Sequence, residues 1–127
     1  MTASSSLTRP VELSQQPATA RRELSRLLAD EAWGGDVDGV ILAVHEAMVN
    51  SQHHGGGVTG ARACADTDTV VVEISDRGRG FKVPETPTLA EVTAERGRGL
   101  SLIRHLAASA QVVRTGSDVN LTLRFER

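Results

Sequence analysis

Three short runs hold the side chains of this chain that could do chemistry together. Glu46-Ala-Met-Val-Asn50 sets a carboxylate and a carboxamide four residues apart. Asp76-Arg-Gly78-Arg-Gly80 sets a carboxylate just ahead of two glycines. Gly97-Arg98-Gly99-Leu100 sets two more glycines before an apolar run. On a helix, residues four apart lie about 40° apart in azimuth and about 6 Å apart along the axis. Glu46 and Asn50 would therefore address one space. A carboxamide oxygen is a hard ligand suited to Mg²⁺, with waters and phosphates filling the other positions. A neighbouring carboxylate can act as general base toward a water or a hydroxyl. The same pair standing alone would also describe a solvated helix end, so its meaning comes from its company.

Asp76 continues the alternation of Val70, Val72 and Ile74, and so extends a buried strand face with an acid. Burying a carboxylate is costly unless donors meet it. The amino group of adenine is one such donor. A backbone turn is another, since Asp-Arg-Gly opens turns readily. Gly78 and Gly80 would let a flat ligand approach the main chain without side-chain obstruction. Free N–H groups at a helix start, bordered by Gly97 and Gly99, suit phosphate oxygens. The run also reads as a loop entering a helix. Together the three runs supply a carboxylate, a metal-directed amide, an anchor for a base and donors for phosphates. That is the inventory of a nucleotide site.

The elements that must hold these residues follow from hydrophobic spacing. The Ser/Thr-rich residues 1–8 read as a disordered terminus, and 9–127 as one domain. Val11 and Leu13 alternate with polar neighbours as a short edge strand. Pro17 suits a first helical turn, and Ala20, Leu24, Leu27 and Leu28 recur at helical spacing, with Gly34-Gly35 as the stop. A second helix starts near Asp36 or Asp38, either of which could cap it. Its apolar stripe is Val37, Ile41, Val44 and Met48, and Gly55-Gly56-Gly57 ends it. Residues 58–65 read weakly as a strand and 69–75 strongly. Residues 81–96 have no strong period and contain Pro84 and Pro87, so they read as a mobile lid, with Thr88-Leu-Ala-Glu91 as a possible single capped turn. A third helix runs from 98 with Leu100, Ile103, Leu106 and Ala107, followed by strands 109–115 and 118–126 about a Thr115-Gly116-Ser117-Asp118 turn. The order β, α, α, β, β, lid, α, β, β predicts an α+β fold, with a mixed, mostly antiparallel sheet and helices stacked on one face.

Composition narrows the function classes. Net charge is −2 with both signs interspersed, so no basic stripe is offered to nucleic acid or to an anionic membrane. No stretch reaches the length of a membrane span, and the start is neither charged nor apolar, so a soluble, cytoplasmic chain is expected. Cys64 is the one cysteine and reads as a strand residue rather than a nucleophile. There is no P-loop signature. Gly97-x-Gly99 leads to Leu102 where a dinucleotide fingerprint wants Gly or Ala. His53-His54 fits a helix C-terminus better than a metal site.

With their order and spacing, the three runs resemble the N box and the two glycine boxes of the GHKL ATPase superfamily. The likeness covers roughly residues 10–126. The variant looks like the small single-domain branch, the anti-sigma-factor serine kinases and related regulatory ATPases. The resemblance implies a two-layer α/β sandwich of the Bergerat type and ATP with Mg²⁺ as cofactors. It assigns Glu46 as catalytic base, Asn50 as magnesium ligand and Asp76 as the partner of the adenine amino group. Gly78 and Gly80 would shape the adenine pocket. Gly97, Arg98, Gly99 and Leu100 would serve phosphate, and residues 81–96 would form the ATP lid. His54 fits the family's helix end, and Thr122 or Ser117 could assist the base. Gly116-Ser117 stands where a Gly-Thr pair is usual. No phosphoacceptor-histidine helix precedes the boxes, so a complete sensor histidine kinase is not expected. The function implied is an anti-sigma factor and serine/threonine kinase. It would act on a sigma factor and an anti-anti-sigma (antagonist) protein, with a homodimer expected. The alternative is a module that binds ATP or ADP and a partner without phosphotransfer, and a simple ATPase subunit is a third option.

Overall fold

The structure, a computed structural model, describes residues 7–54, 56–77, 103–116 and 118–127. Strand β1 is Val11–Glu12, helix α1 is Pro17–Asp30 and helix α2 is Val37–His54. Strands β2 (Val58–Ala65), β3 (Thr69–Asp76), β4 (Ser109–Thr115) and β5 (Asp118–Glu126) complete the order, with residues 103–106 helical ahead of β4. The strands form one sheet in the order β1-β2-β3-β5-β4, and every pairing is antiparallel. The expected α+β architecture is what the chain adopts.

Alternation decides which face the helices cover. Val70, Val72, Ile74 and Asp76 of β3 lie directly opposite Phe125, Leu123, Leu121 and Val119 of β5. On the other side of β3, Val70, Val72 and Ile74 pair with Ala65, Ala63 and Ala61 of β2. All of these residues are buried, and Leu24 and Leu28 of α1 and Ala43, Val44, Ala47 and Met48 of α2 complete the same core. The alanines of β2 leave room for a helix to lie close, so a core almost without aromatics still fills its space. The opposite face of the sheet is more polar. Arg62 and Glu73 pair across it at 2.8 Å, and Cys64 sits half-buried in the same layer.

Local rules explain where the helices begin and end. Pro17 is the first residue of α1, as its fixed φ favours. Asp36 rather than Asp38 caps α2: its Oδ1 accepts from Gly39 N at 3.0 Å. The predicted Gly34-Gly35 stop of α1 is replaced by an earlier one. Trp33 N donates to Leu28 O at 2.9 Å and Ala32 N to Ala29 O at 3.2 Å, the paired bonds of a Schellman ending. This puts Ala32 at φ +53°, in the left-handed region. Trp33 and Leu28, the two positions at which such an ending favours apolar residues, are both buried.

Three further expectations are corrected. Val37 is 38% exposed, because the first turn of α2 projects past the core although its azimuth matches the stripe. Val11 is 42% exposed on the edge strand, and Leu13 alone of that pair turns inward. Thr8, assigned to the disordered terminus, donates from its N–H to Ala65 O at 3.2 Å alongside β2. The β4–β5 turn forms as expected, with Thr115 paired to Asp118 and Gly116 at φ +61°.

Two outcomes follow. Ala32→Gly should stabilise the fold by about 1 kcal/mol, since glycine carries no Cβ penalty at positive φ. Urea unfolding would show a higher midpoint, and a lower one would contradict the assigned ending. Burial pushes the Cys64 thiol above its usual range, with Glu73 adding to the shift. A raised value means less thiolate at neutral pH, so alkylation at pH 7 should run slower than for an exposed cysteine peptide and accelerate as pH rises. Fast alkylation at pH 7 would contradict this.

Candidate functional site

Helix α2 serves two neighbours at once, and the helical period separates them. Val40, Ala43, Val44, Ala47, Met48 and Ser51 point toward the sheet and are all buried. Measured around the axis from Val40, Asn50 lies about 80° away, Glu46 about 120° and Leu42 about 160° on the same side. Burial falls in that order. Asn50 is 7% exposed, Glu46 is half-buried and Leu42 is 42% exposed. The flank that carries the carboxylate and the carboxamide is therefore one continuous stripe, graded from core to surface.

Asp76 ends β3 on the helix-facing side, only 2% exposed. Its cross-strand neighbours there are Val58 of β2 and Val119 of β5. The sheet itself thus offers apolar side chains to this carboxylate, as strand alternation required. A register shift between Val58 and Gly60 places a bulge at Thr59, one residue along β2 from the pairing with Asp76. Gln15 Nε2 donates to Thr59 O at 3.0 Å and ties the bulge to the chain that enters α1.

The end of α2 and the end of β3 meet through a short glycine link. Gly56 and Gly57 take φ +84° and +110°, which reverses the chain after the last turn of α2. Gly57 N donates to Ser51 O at 3.1 Å. A Cβ at Gly57 would stand 3.9 Å from Arg77 Nε. The next residue, Val58, pairs with Asp76. Asn50 and Asp76 therefore lie at the same end of the molecule, each buried and each polar. Helical residues 103–106 meet α2 at its first turn, the end away from Asn50. The Cδ2 of Leu106 lies 3.4 Å from where a Cβ on Gly39 would stand. Gly39 sits about 100° from Val40, between Asn50 and Glu46 in azimuth.

Asn50 Nδ2 is buried and has no hydrogen-bond partner among the described residues. Buried polar atoms are nearly always paired; Trp33 Nε1, His45 Nδ1 and Asn120 Oδ1 also lack partners among the described residues, and the Asn50 amide is the one of the four that is compatible with a nucleotide atom beside the proposed site. It fits a nucleotide phosphate beside the amide, with the carboxamide oxygen of Asn50 left for Mg²⁺. Among the described residues no group of three or more His, Cys, Asp or Glu side chains gathers. Mg²⁺ bound to a nucleotide needs no such cage, because phosphates and waters supply most of its shell.

Other expected site residues stand as follows. Gly78, Gly80, Gly97, Arg98, Gly99, Leu100, Ser117 and the lid residues 81–96 lie outside the described residues, as does the side chain of His54. Thr122 is a correction. It pairs with Glu73, whose side chain alternates away from Asp76, so it belongs to the open face of the sheet and cannot serve the same base. Ser51 is the residue that sequence reasoning passed over. It is 1% exposed, next to Asn50, and falls three residues after Met48 and seven after Val44 on the sheet-facing stripe. Extending that stripe by one turn would have found it.

Comparison with known proteins now places the chain. No match is found among curated proteins. Among solved structures, the histidine kinase AdeS of Acinetobacter baumannii aligns with a TM-score of 0.48 at 11% sequence identity, over 93% of this chain and 67% of that one. The family model described as a histidine kinase-like ATPase domain matches residues 10–125. That span takes in Asn50, Asp76, the half-buried Glu46 and all but the last residue of the sheet, and the chain belongs to the histidine kinase-like ATPase domain family.

Proposed function

We propose that this protein binds Mg-ATP, transfers the γ-phosphoryl group to a serine or threonine of a small antagonist protein, and holds a sigma factor inactive until that partner intervenes. ATP binding comes with the family. The observation that carries the rest of the site is Asn50, a carboxamide 7% exposed whose Nδ2 is buried and has no partner among the described residues. The anti-sigma role, the partners and a cytoplasmic homodimer are supported by the resemblance of the boxes to the small single-domain branch. No helix among the described residues is long and apolar enough to cross a membrane.

The chain's own residues divide the work. Asp76 accepts a hydrogen bond from the adenine amino group at the apolar end of β3. Asn50 would hold Mg²⁺, which when bound offsets phosphate charge. Glu46, less buried on the same flank, takes the proton of the acceptor hydroxyl as that oxygen bonds to the γ-phosphorus and ADP departs. Its half-exposure leaves room for a protein substrate to reach it, whereas Asn50 and Asp76 are closed off for the nucleotide.

Labelled ATP supplied with candidate antagonist proteins tests the reading. Asp76→Asn should weaken ATP binding by roughly ten- to a hundredfold, the worth of a hydrogen bond to a charged group. Glu46→Gln should keep the affinity and slow phosphotransfer by roughly two to four powers of ten. Nucleotide binding with no label on any partner would favour the module without phosphotransfer. Unchanged ATP affinity in Asp76→Asn would remove the adenine anchor altogether.

A further inference from the structure

We infer that the groove between β1 and α1 is a docking surface for an extended, acidic segment of a partner protein, which adds to the edge of the sheet at Glu12 and is held by Arg22 and Arg26. The groove encloses about 450 Å³, and none of its residues belongs to the nucleotide site proposed above. Its floor is apolar. Val11 stands opposite Ala63 and shares its side of the sheet, yet 42% of it is exposed. Leu27 of α1 continues the floor. The sheet edge beside it is open. Leu13 N donates to Ala61 O at 2.8 Å. Bonded pairs alternate along an antiparallel ladder, so Glu12, one residue back and opposite Arg62, turns its N–H and C=O away from β2. Pro10 has no N–H, and Ser14 N is already bonded to Glu23 Oε1 at 2.6 Å, so Glu12 supplies the open donor of this edge. An open edge takes a further strand through main-chain bonds, and the side chains around it decide which strand.

Here the deciding side chains are cationic. Arg22 and Arg26 are exposed, one turn apart on α1, and neither forms an ion pair among the described residues. Arg22 reaches Thr19 Oγ1 at 3.4 Å. The carboxylates of the groove do not answer them. Glu23 is engaged by Ser14 N. The side chain of Glu12 alternates to the open face, where its charge acts on Arg62. Asp30 follows Arg26 by four residues, the order that pairs less well on a helix. Nor do the arginines serve the helix dipole, since α1 has no acidic residue in its first turn and no basic one in its last. Residues four apart on a helix are about 6 Å apart along its axis. Alternate residues of a strand are about 6.6–6.8 Å apart. A segment with carboxylates at alternate positions can therefore meet both guanidinium groups while its main chain bonds to Glu12.

The probe is a capped eight-residue peptide in which glutamate alternates with valine and threonine, titrated into the isotopically labelled full chain and followed by NMR. The Glu12 amide, the Val11 methyls and the Arg22 and Arg26 Nε–H groups should shift together and saturate. Glutamine in place of the glutamates should weaken binding roughly three- to tenfold. The double variant Arg22→Gln, Arg26→Gln should do the same, and both of its changed residues are exposed. Glu12→Pro removes the outward N–H and should lose binding that Glu12→Gln retains. If Glu12→Pro does not fold, the two peptides compared on the unaltered protein decide alone. No saturating shift at millimolar peptide, equal affinity for the glutamine peptide, or shifts confined to other elements would overturn the proposal. Inorganic phosphate producing the same shifts would overturn it as well, leaving a simple anion site. So would signals that move with protein concentration in the absence of peptide, which would assign the edge to a second copy of the chain.

Discussion

A carboxylate at the end of a buried strand governs the rest of this structure. Asp76 is 2% exposed, and its neighbours across the sheet are valines on both sides. Burying a charge in such a place costs several kcal/mol unless hydrogen-bond donors meet it. A hydrophobic residue would continue the alternation of β3 and pack against Val58 and Val119 at no such cost. The acid therefore needs donors at the end of β3 that a hydrophobic residue there would not. The surrounding sheet is built to keep it there, with antiparallel ladders on both sides of β3 and the Gln15–Thr59 bond steadying the bulge beside it.

Helix α2 extends the same trade. One face of the helix is ordinary core, made of Val40, Ala43, Val44, Ala47 and Met48. The adjoining flank gives up apolar contact to carry Asn50 and Glu46. Helical geometry lets a single element do both, because a rotation of about 80° to 120° separates packing from chemistry. The consequence is a coupling between stability and site geometry. Small residues on the packing faces, the alanines of β2 and α2, let the layers approach closely. Closely packed layers transmit displacement rather than absorb it.

Much of this was legible in the sequence. The period-two pattern of Val119, Leu121, Leu123 and Phe125 placed β5 at its observed bounds, and the alternation of Val70, Val72 and Ile74 foretold a buried Asp76. Glu46 and Asn50 stand on the flank of α2 that their spacing required. What escaped was set by neighbours distant in the chain. Ala32 takes a left-handed conformation because Trp33 must reach Leu28 and the core, a demand invisible in the identity of an alanine. Val37 has the azimuth of a core residue and lies beyond the end of the core. Thr122 had the right chemistry for the base but stands on the wrong face, which only the register with Glu73 reveals.

The central claim is that Asn50 and Asp76 line one nucleotide cleft between the end of α2 and the end of β3. The most direct measurement is an NMR titration of isotopically labelled protein with Mg-ATP. The account predicts that the side-chain amide pair of Asn50 and the backbone amides of Ser51, Gly57, Asp76 and Arg77 shift together, in one saturating transition. Shifts confined to the open face of the sheet, around Arg62 and Thr122, with the Asn50 amide unmoved, would contradict it.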